Sequence, residues 1–207
     1  MQFEPGDRRR VLPRHLRPAT APDTFSYAIR PARPADLPHV REIYNHFVSN
    51  SAVTLDERRS SIPYWRDKFA LLERLGLPFL VAVSPSGAVL GYALAQPWAG
   101  KNAYRYTVED SIYLGPGAAG KGLGSALLQA LIDACEQRGL REMVAVISDQ
   151  GAEASLRLHE KLGFVEAGRM GRVGHKFGRD LGTVYLRRAL RPSRPSRPRR
   201  RLSLFPR

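Results

Sequence analysis

The stretch from Glu109 to Ser125, Glu-Asp-Ser-Ile-Tyr-Leu-Gly-Pro-Gly-Ala-Ala-Gly-Lys-Gly-Leu-Gly-Ser, constrains the fold more than any other part of the chain. Ser111 to Leu114 has the β-branched and aromatic character of a strand. Gly115-Pro116-Gly117 is a turn signal. Gly120, Gly122 and Gly124 then remove side chains where a backbone must approach something closely. Ala126 to Arg138 continues as an amphipathic helix, with Leu127, Leu131 and Ala134 on one face. A helix start with free amides is an anion site, because its N–H groups and its dipole point the same way. The segment therefore reads as a strand with a carboxylate at its mouth, followed by a phosphate cradle of Gly120, Lys121, Gly122, Leu123, Gly124 and Ser125. The same glycines also fit a loop that merely joins strand to helix.

Two familiar phosphate motifs are excluded. A Walker loop needs Gly-x-x-x-x-Gly-Lys-Ser/Thr, which is absent here. A dinucleotide fingerprint needs Gly-x-Gly-x-x-Gly, whereas these glycines are spaced Gly-x-Gly-x-Gly.

Elsewhere the pattern alternates strands and helices. Tyr27 to Arg33 reads as a first strand. Leu37, Val40, Ile43, Tyr44 and Phe47 give a helix from about Asp36 to Val48. Trp65, Phe69, Leu72 and Leu75 mark a second helix, stopped by Gly76 and Pro78. Phe79 to Val83 and Val89 to Ala95 form a hairpin across Ser84-Pro85-Ser86-Gly87. After the glycine loop and its helix come a strand from Met143 to Ile147, a helix from Ala152 to Leu162, and final strands at Phe164 to Arg172 and Thr183 to Leu190. Strands lead and then alternate with helices. The expected fold is α/β of the α+β type, with a mixed, mostly antiparallel twisted sheet flanked by helices.

A chain of 207 residues is long enough for one domain with a core. The expected divisions are an irregular basic extension over 1–26, a single domain over 27–190 and an Arg/Pro/Ser-rich tail over 191–207. The lone Cys135 excludes an intrachain disulfide and sits within a helical pattern, as a small buried hydrophobe would. Leu77 to Val83 is too short to span a bilayer, and no apolar run of signal-peptide type stands near Met1. A cytoplasmic setting without membrane attachment is the default. No His/Cys/Asp cluster has metal-ligand spacing, so no metal is expected.

The formal net charge is +14. The tail contributes seven arginines and no acid, and the first 26 residues contribute five arginines against three acids. Such a tail can be a solvated extension, or it can bind nucleic acid or an anionic surface by counterion release.

The blocks Ile43-Tyr44-Asn45-His46, Asn102 to Glu109, Gly120 to Ser125, Val144 to Ile147, Leu158 to Phe164 and Val173 to Gly178 stand in this order. Together they resemble the GNAT superfamily of N-acetyltransferases, in its phosphinothricin and methionine sulfoximine acetyltransferase branch. The resemblance spans Ile29 to about Leu190. It implies acetyl-CoA as cosubstrate, a small amino-acid analogue as acceptor and a homodimer. It implies that Ile112, Tyr113 and Leu114 pair with the pantetheine arm as an added strand, with the Leu114 N–H as oxyanion donor. Ser155 would also lie against the cosubstrate. Glu109 stands where the family has its general base; a solvated strand end is the alternative. His159 matches a family histidine, either catalytic or orienting. Asn102, Ala103 and Tyr104 would wall the acceptor pocket, and Arg105 and Lys176 would meet the acceptor's carboxylate. Lys176 could do so for a neighbouring subunit. Alternation along the strand turns Asp110 to the opposite face from Glu109, where a surface role is expected.

Two departures stand out. Ala119 occupies a position usually held by Gln or Arg. The segment Asp149 to Ser155 is one residue longer than usual and lacks the customary Asn. Acetylation of peptide N-termini, or nucleic-acid binding by a degenerate acetyltransferase fold, are the competing readings.

Overall fold

The computed structural model describes residues 25–191, so the expectations for the remainder of the two extensions lie outside the described residues. Seven strands form one sheet in the order β1-β2-β3-β4-β5-β7-β6. They are β1 (Ala28–Pro31), β2 (Phe79–Val83), β3 (Val89–Pro97), β4 (Thr107–Leu114), β5 (Glu142–Ser148), β6 (Val165–Lys176) and β7 (Arg179–Ala189). Every neighbouring pair is antiparallel except β4 and β5, which gives the mixed, mostly antiparallel sheet expected.

Four α-helices cover the sheet: α1 (Leu37–Asn50), α2 (Ile62–Leu75), α3 (Leu123–Gln137) and α4 (Glu153–Lys161). Their limits follow from local chemistry. Ser61 caps α2 by accepting from the Tyr64 N–H, and Gly76 ends it in the left-handed region at φ 66°. Leu123, Leu127, Leu128, Leu131, Ile132 and Cys135 are the buried stripe of α3. Burial also pushes the Cys135 thiol well above its ordinary range, as suits a packing residue rather than a nucleophile. On the α1 and α2 side, Tyr44, Trp65, Phe79, Tyr92 and Tyr113 interlock by edge and stacked ring contacts.

The last two strands are longer than the sequence pattern indicates. Val165 to Lys176 pairs with Arg179 to Ala189 across a two-residue turn, Phe177-Gly178, with positive φ at both positions. The expected break at Arg172 is a register shift between Met170 and Gly174, where Arg172 takes φ 55°. The helix after the glycine loop begins at Leu123, three residues before the expected Ala126.

The decisive feature of the sheet lies at its middle. β4 and β5 pair only at Thr107, Val108 and Glu109, opposite Glu142, Met143 and Val144. Beyond Glu109 the two strands part, although β4 stays paired with β3 up to Leu114 and β5 stays paired with β7 up to Ser148.

Candidate active site

A cavity of about 1060 Å³ occupies the gap between β4 and β5 and is lined by residues from both faces of the sheet. Its two ends have different chemistry.

One end is built from backbone. Gly115 N donates to Leu90 O, so the alternation of the β3–β4 ladder assigns the Tyr113 and Ser111 amides to β3. The Ile112 and Leu114 amides then turn toward the gap. Beyond Leu114, the loop enters α3 through Gly120 and Gly122, at φ 76° and 77°. A Cβ on either would be strained, and no protein atom lies within 4 Å of where it would stand. No side chain caps α3, so the amides at its start remain free for a ligand. Ala119, Gly120, Gly122, Gly124 and Ser125 line this end, as do Ala154, Ser155, Leu158 and Lys161. The Lys121 ammonium instead sits over the Phe25 ring, and Leu123 is buried in the core.

The other end is a chamber between β4, α1, α2 and the 53–56 loop. Glu109 stands at its floor, opposite Gln96 on β3. Gln96 Nε2 donates to Glu109 Oε1 at 3.3 Å, and Lys68 Nζ donates to Gln96 Oε1 at 3.1 Å. Burial, and then the charge of Asp110, lift the Glu109 carboxyl above its ordinary pKa, against the opposing pull of Gln96 and Lys68. Tyr113 is pushed up to about 12, chiefly by burial, so its hydroxyl stays protonated at neutral pH. The Tyr92 hydroxyl, buried in the same wall, has no hydrogen-bond partner among the described residues. The Tyr44 hydroxyl donates to Asp56.

Asp110 departs from the expectation of a surface role. Alternation does turn it away from Glu109, but α3 and α4 cover that face and leave it only 6% exposed. Asp110 Oδ2 lies 3.1 Å from Nε2 of His159, itself 1% exposed. His159 Nδ1 lies 2.7 Å from Ser155 O, and a carbonyl only accepts. Nδ1 therefore carries a hydrogen, and a single proton lies between Nε2 and the carboxylate. Burial alone would lower the pKa of this histidine, but the hydrogen bond and charge of Asp110, with the Ser155 carbonyl, raise it. Both residues line the cavity.

Other sequence candidates lie elsewhere. Asn102, Ala103 and Tyr104 form an exposed 3₁₀ turn outside the cavity wall. The Arg105 guanidinium lies on the Tyr106 ring and donates to Asn102 O. Lys176 is 2% exposed, and its ammonium donates to Ser51 O at 2.9 Å and Thr54 O at 2.8 Å. It anchors the loop that walls the chamber and does not itself face the cavity. Lys68, Gln96, Asp56 and Lys161 are among the cavity groups that sequence reasoning passed over, and Asp110 is one that it placed at the surface. Lys68 carried no signal beyond a charge on an amphipathic helix, whereas strand alternation could have paired Gln96 with Glu109. Among the described residues no group of three or more His, Cys, Asp or Glu side chains stands together as metal ligands would, and no helix is long and apolar enough to cross a membrane.

The profile of the acetyltransferase (GNAT) family matches residues 39–164. A phosphinothricin N-acetyltransferase of Alcaligenes faecalis is 41% identical over 162 residues, 78% of this chain and 82% of that protein. An L-methionine sulfoximine/L-methionine sulfone acetyltransferase of Pseudomonas paraeruginosa is 42% identical over 170 residues, 82% of this chain and 98% of that protein. Among solved structures, the GNAT superfamily phosphinothricin acetyltransferase of Sinorhizobium meliloti in complex with AcCoA is similar at a TM-score of 0.77. Its sequence identity is 41%, with 84% of this chain and 93% of that one covered.

Proposed function

Because this chain belongs to the GNAT acetyltransferase family, we propose that it moves the acetyl group of acetyl-CoA to the amino group of a small amino-acid analogue of the methionine sulfoximine, methionine sulfone or phosphinothricin kind. The observation that carries this reading is the parting of β4 and β5. It leaves a free backbone edge and an uncapped helix start at one end of a single cavity, and a half-buried carboxylate at the other.

The chemistry follows from that layout. Free amides from Gly120 to Ser125 suit the pyrophosphate, by hydrogen bonds and the α3 dipole. The pantetheine arm lies along β4 as an extra strand on the Ile112 and Leu114 amides. Glu109 takes the proton of the acceptor ammonium, directly or through a water, and the raised pKa of this carboxyl suits the task. The free amine attacks the thioester carbonyl, and the Leu114 N–H stabilises the oxyanion. The intermediate collapses to the amide with loss of the thiolate, and the second proton given up by the attacking nitrogen balances the one the thiolate takes up. His159, fixed at both nitrogens, orients α4 beside the cosubstrate.

The protein acts in the cytoplasm as a homodimer, in which the exposed Asn102–Arg105 turn offers its polar groups to a second copy. A turnover screen with acetyl-CoA against L-methionine sulfone, L-methionine sulfoximine, phosphinothricin and ordinary L-amino acids tests the reading. Acetylation of at least one analogue is expected. Acetyl-CoA binding with no transfer to any free amino acid would overturn it.

A further inference from the structure

The geometry points to Lys68 as the residue that reads the acceptor's carboxylate, which makes the chamber selective for α-amino acids over simple amines. The inference rests on the acyl-transfer reading above and deepens it.

An α-amino acid presents its carboxylate one carbon away from its amine. If the ammonium meets Glu109, the cation that meets the carboxylate must stand close to Glu109 on the same wall. Lys68 does. A single amide, that of Gln96, separates the two charges, bonded to Lys68 on its oxygen and to Glu109 on its nitrogen. Lys68 Nζ lies 5.1 Å from the Tyr64 ring centroid and 5.6 Å from that of Trp65, which fixes the ammonium at the chamber wall. One of its three N–H groups goes to Gln96, so two remain for a ligand.

The other cations do not compete for this place. Arg105 lies outside the chamber wall of its own subunit, on the Tyr106 ring and Asn102 O, and Lys176 donates to two carbonyls and does not line the cavity. Lys161, the other cation in the cavity wall, lies on α4 at the cosubstrate end. The chamber also holds Asp56 and Glu109, so an acceptor carboxylate would meet net repulsion there without Lys68.

Steady-state kinetics with two acceptors test the assignment: L-methionine sulfone and its decarboxylated counterpart, 3-(methylsulfonyl)propan-1-amine. In Lys68→Met, the ratio of kcat/KM for amino acid over amine should collapse by about 10- to 100-fold, the worth of charge-assisted hydrogen bonds. The loss should fall mainly on the amino acid's KM, and Lys68→Arg should recover much of it. The acid limb of the pH profile, set by Glu109, should move modestly upward for both acceptors alike, because the Lys68 charge helps hold that carboxyl down. Equal losses for both acceptors would show that Lys68 acts only on Glu109 through Gln96 and would overturn the assignment. An unchanged ratio would overturn it as well. A wild-type protein that acetylates neither compound nor any other free amino acid would instead overturn the acyl-transfer reading itself.

Discussion

Asp110 Oδ2 and His159 Nε2 meet at 3.1 Å across a buried interface between β4 and α4, with the far nitrogen of the ring held by the Ser155 carbonyl. This contact ties the strand that borders the gap to the helix that closes it. The histidine's pKa is raised in the folded protein. Its contribution to stability is therefore complete below its unfolded value of about 6.5 and is lost as pH rises through the folded value. Calorimetric melting temperatures across pH should show the wild type falling relative to Asp110→Asn as pH rises above about 6.5. At lower pH, Asp110→Asn should cost about 3–5 kcal/mol, since it strands one member of a buried pair. Parallel melting curves at all pH values would remove the ion pair from the account.

Glu109 carries the same sign, although it is the neutral form that folding favours here. An acid with a raised pKa is stabilised in its neutral form, so folding loses stability as pH rises from the unfolded value through the folded one. Glu109→Gln should therefore melt higher than wild type at neutral pH while kcat/KM falls by about 10²–10⁴. The rate of the wild type should rise with pH through a limb above the ordinary carboxylate range, and that limb should vanish in the variant. Calorimetry should find acetyl-CoA affinity unaltered.

Gly122 tests the cosubstrate end. At φ 77° a side chain is strained by about 1–2 kcal/mol, but no protein atom stands in its way. Gly122→Leu should fold, with a lower melting temperature, and its dissociation constant for CoA in calorimetry should rise at least about tenfold. Unchanged affinity would place the pyrophosphate elsewhere.

How much of this was legible in the chain depends on distance along it. The strand, glycine turn and helix of 109–125 are a local device, so composition and spacing disclosed them. The buried Asp110 was not visible, because its partner lies 49 residues on. Alternation gave its face correctly but could not say that α3 and α4 cover that face. Lys68 reads as an ordinary solvated charge on α2, and its meaning depends on Gln96 facing Glu109 across two strands. The sequence pattern ends the first strand of the last hairpin at Arg172 and starts the second at Thr183, because Gly174, Gly178 and Gly182 interrupt the alternation that marks a strand.

Lys176 provides a fourth test. Its ammonium holds two carbonyls of the 51–54 segment, and burial lowers its pKa. Lys176→Met would leave both carbonyls without their donor, at a cost of about 1–3 kcal/mol each if they stay buried. The chamber wall should loosen, with a higher acceptor KM and an unchanged CoA dissociation constant. A dead enzyme with normal stability would instead give Lys176 a direct part in the reaction.

Removal of residues 192–207 should leave kcat for a small acceptor within about twofold of wild type, since the sheet and the cavity are formed by residues before them. If the truncated protein also loses a salt-sensitive affinity for RNA, the arginine-rich end has a separate task.

Among the described residues, the ladder that joins strands β1 to β4 with strands β5 to β7 has three paired positions, Thr107–Glu109 against Glu142–Val144. The sheet is thus two plates stitched at one edge of a seam, over one shared core. On the proposed reading, an acyl donor laid along Ile112 and Leu114 would extend that seam, so slower hydrogen exchange at the ends of β4 and β5 would report that the donor is aboard.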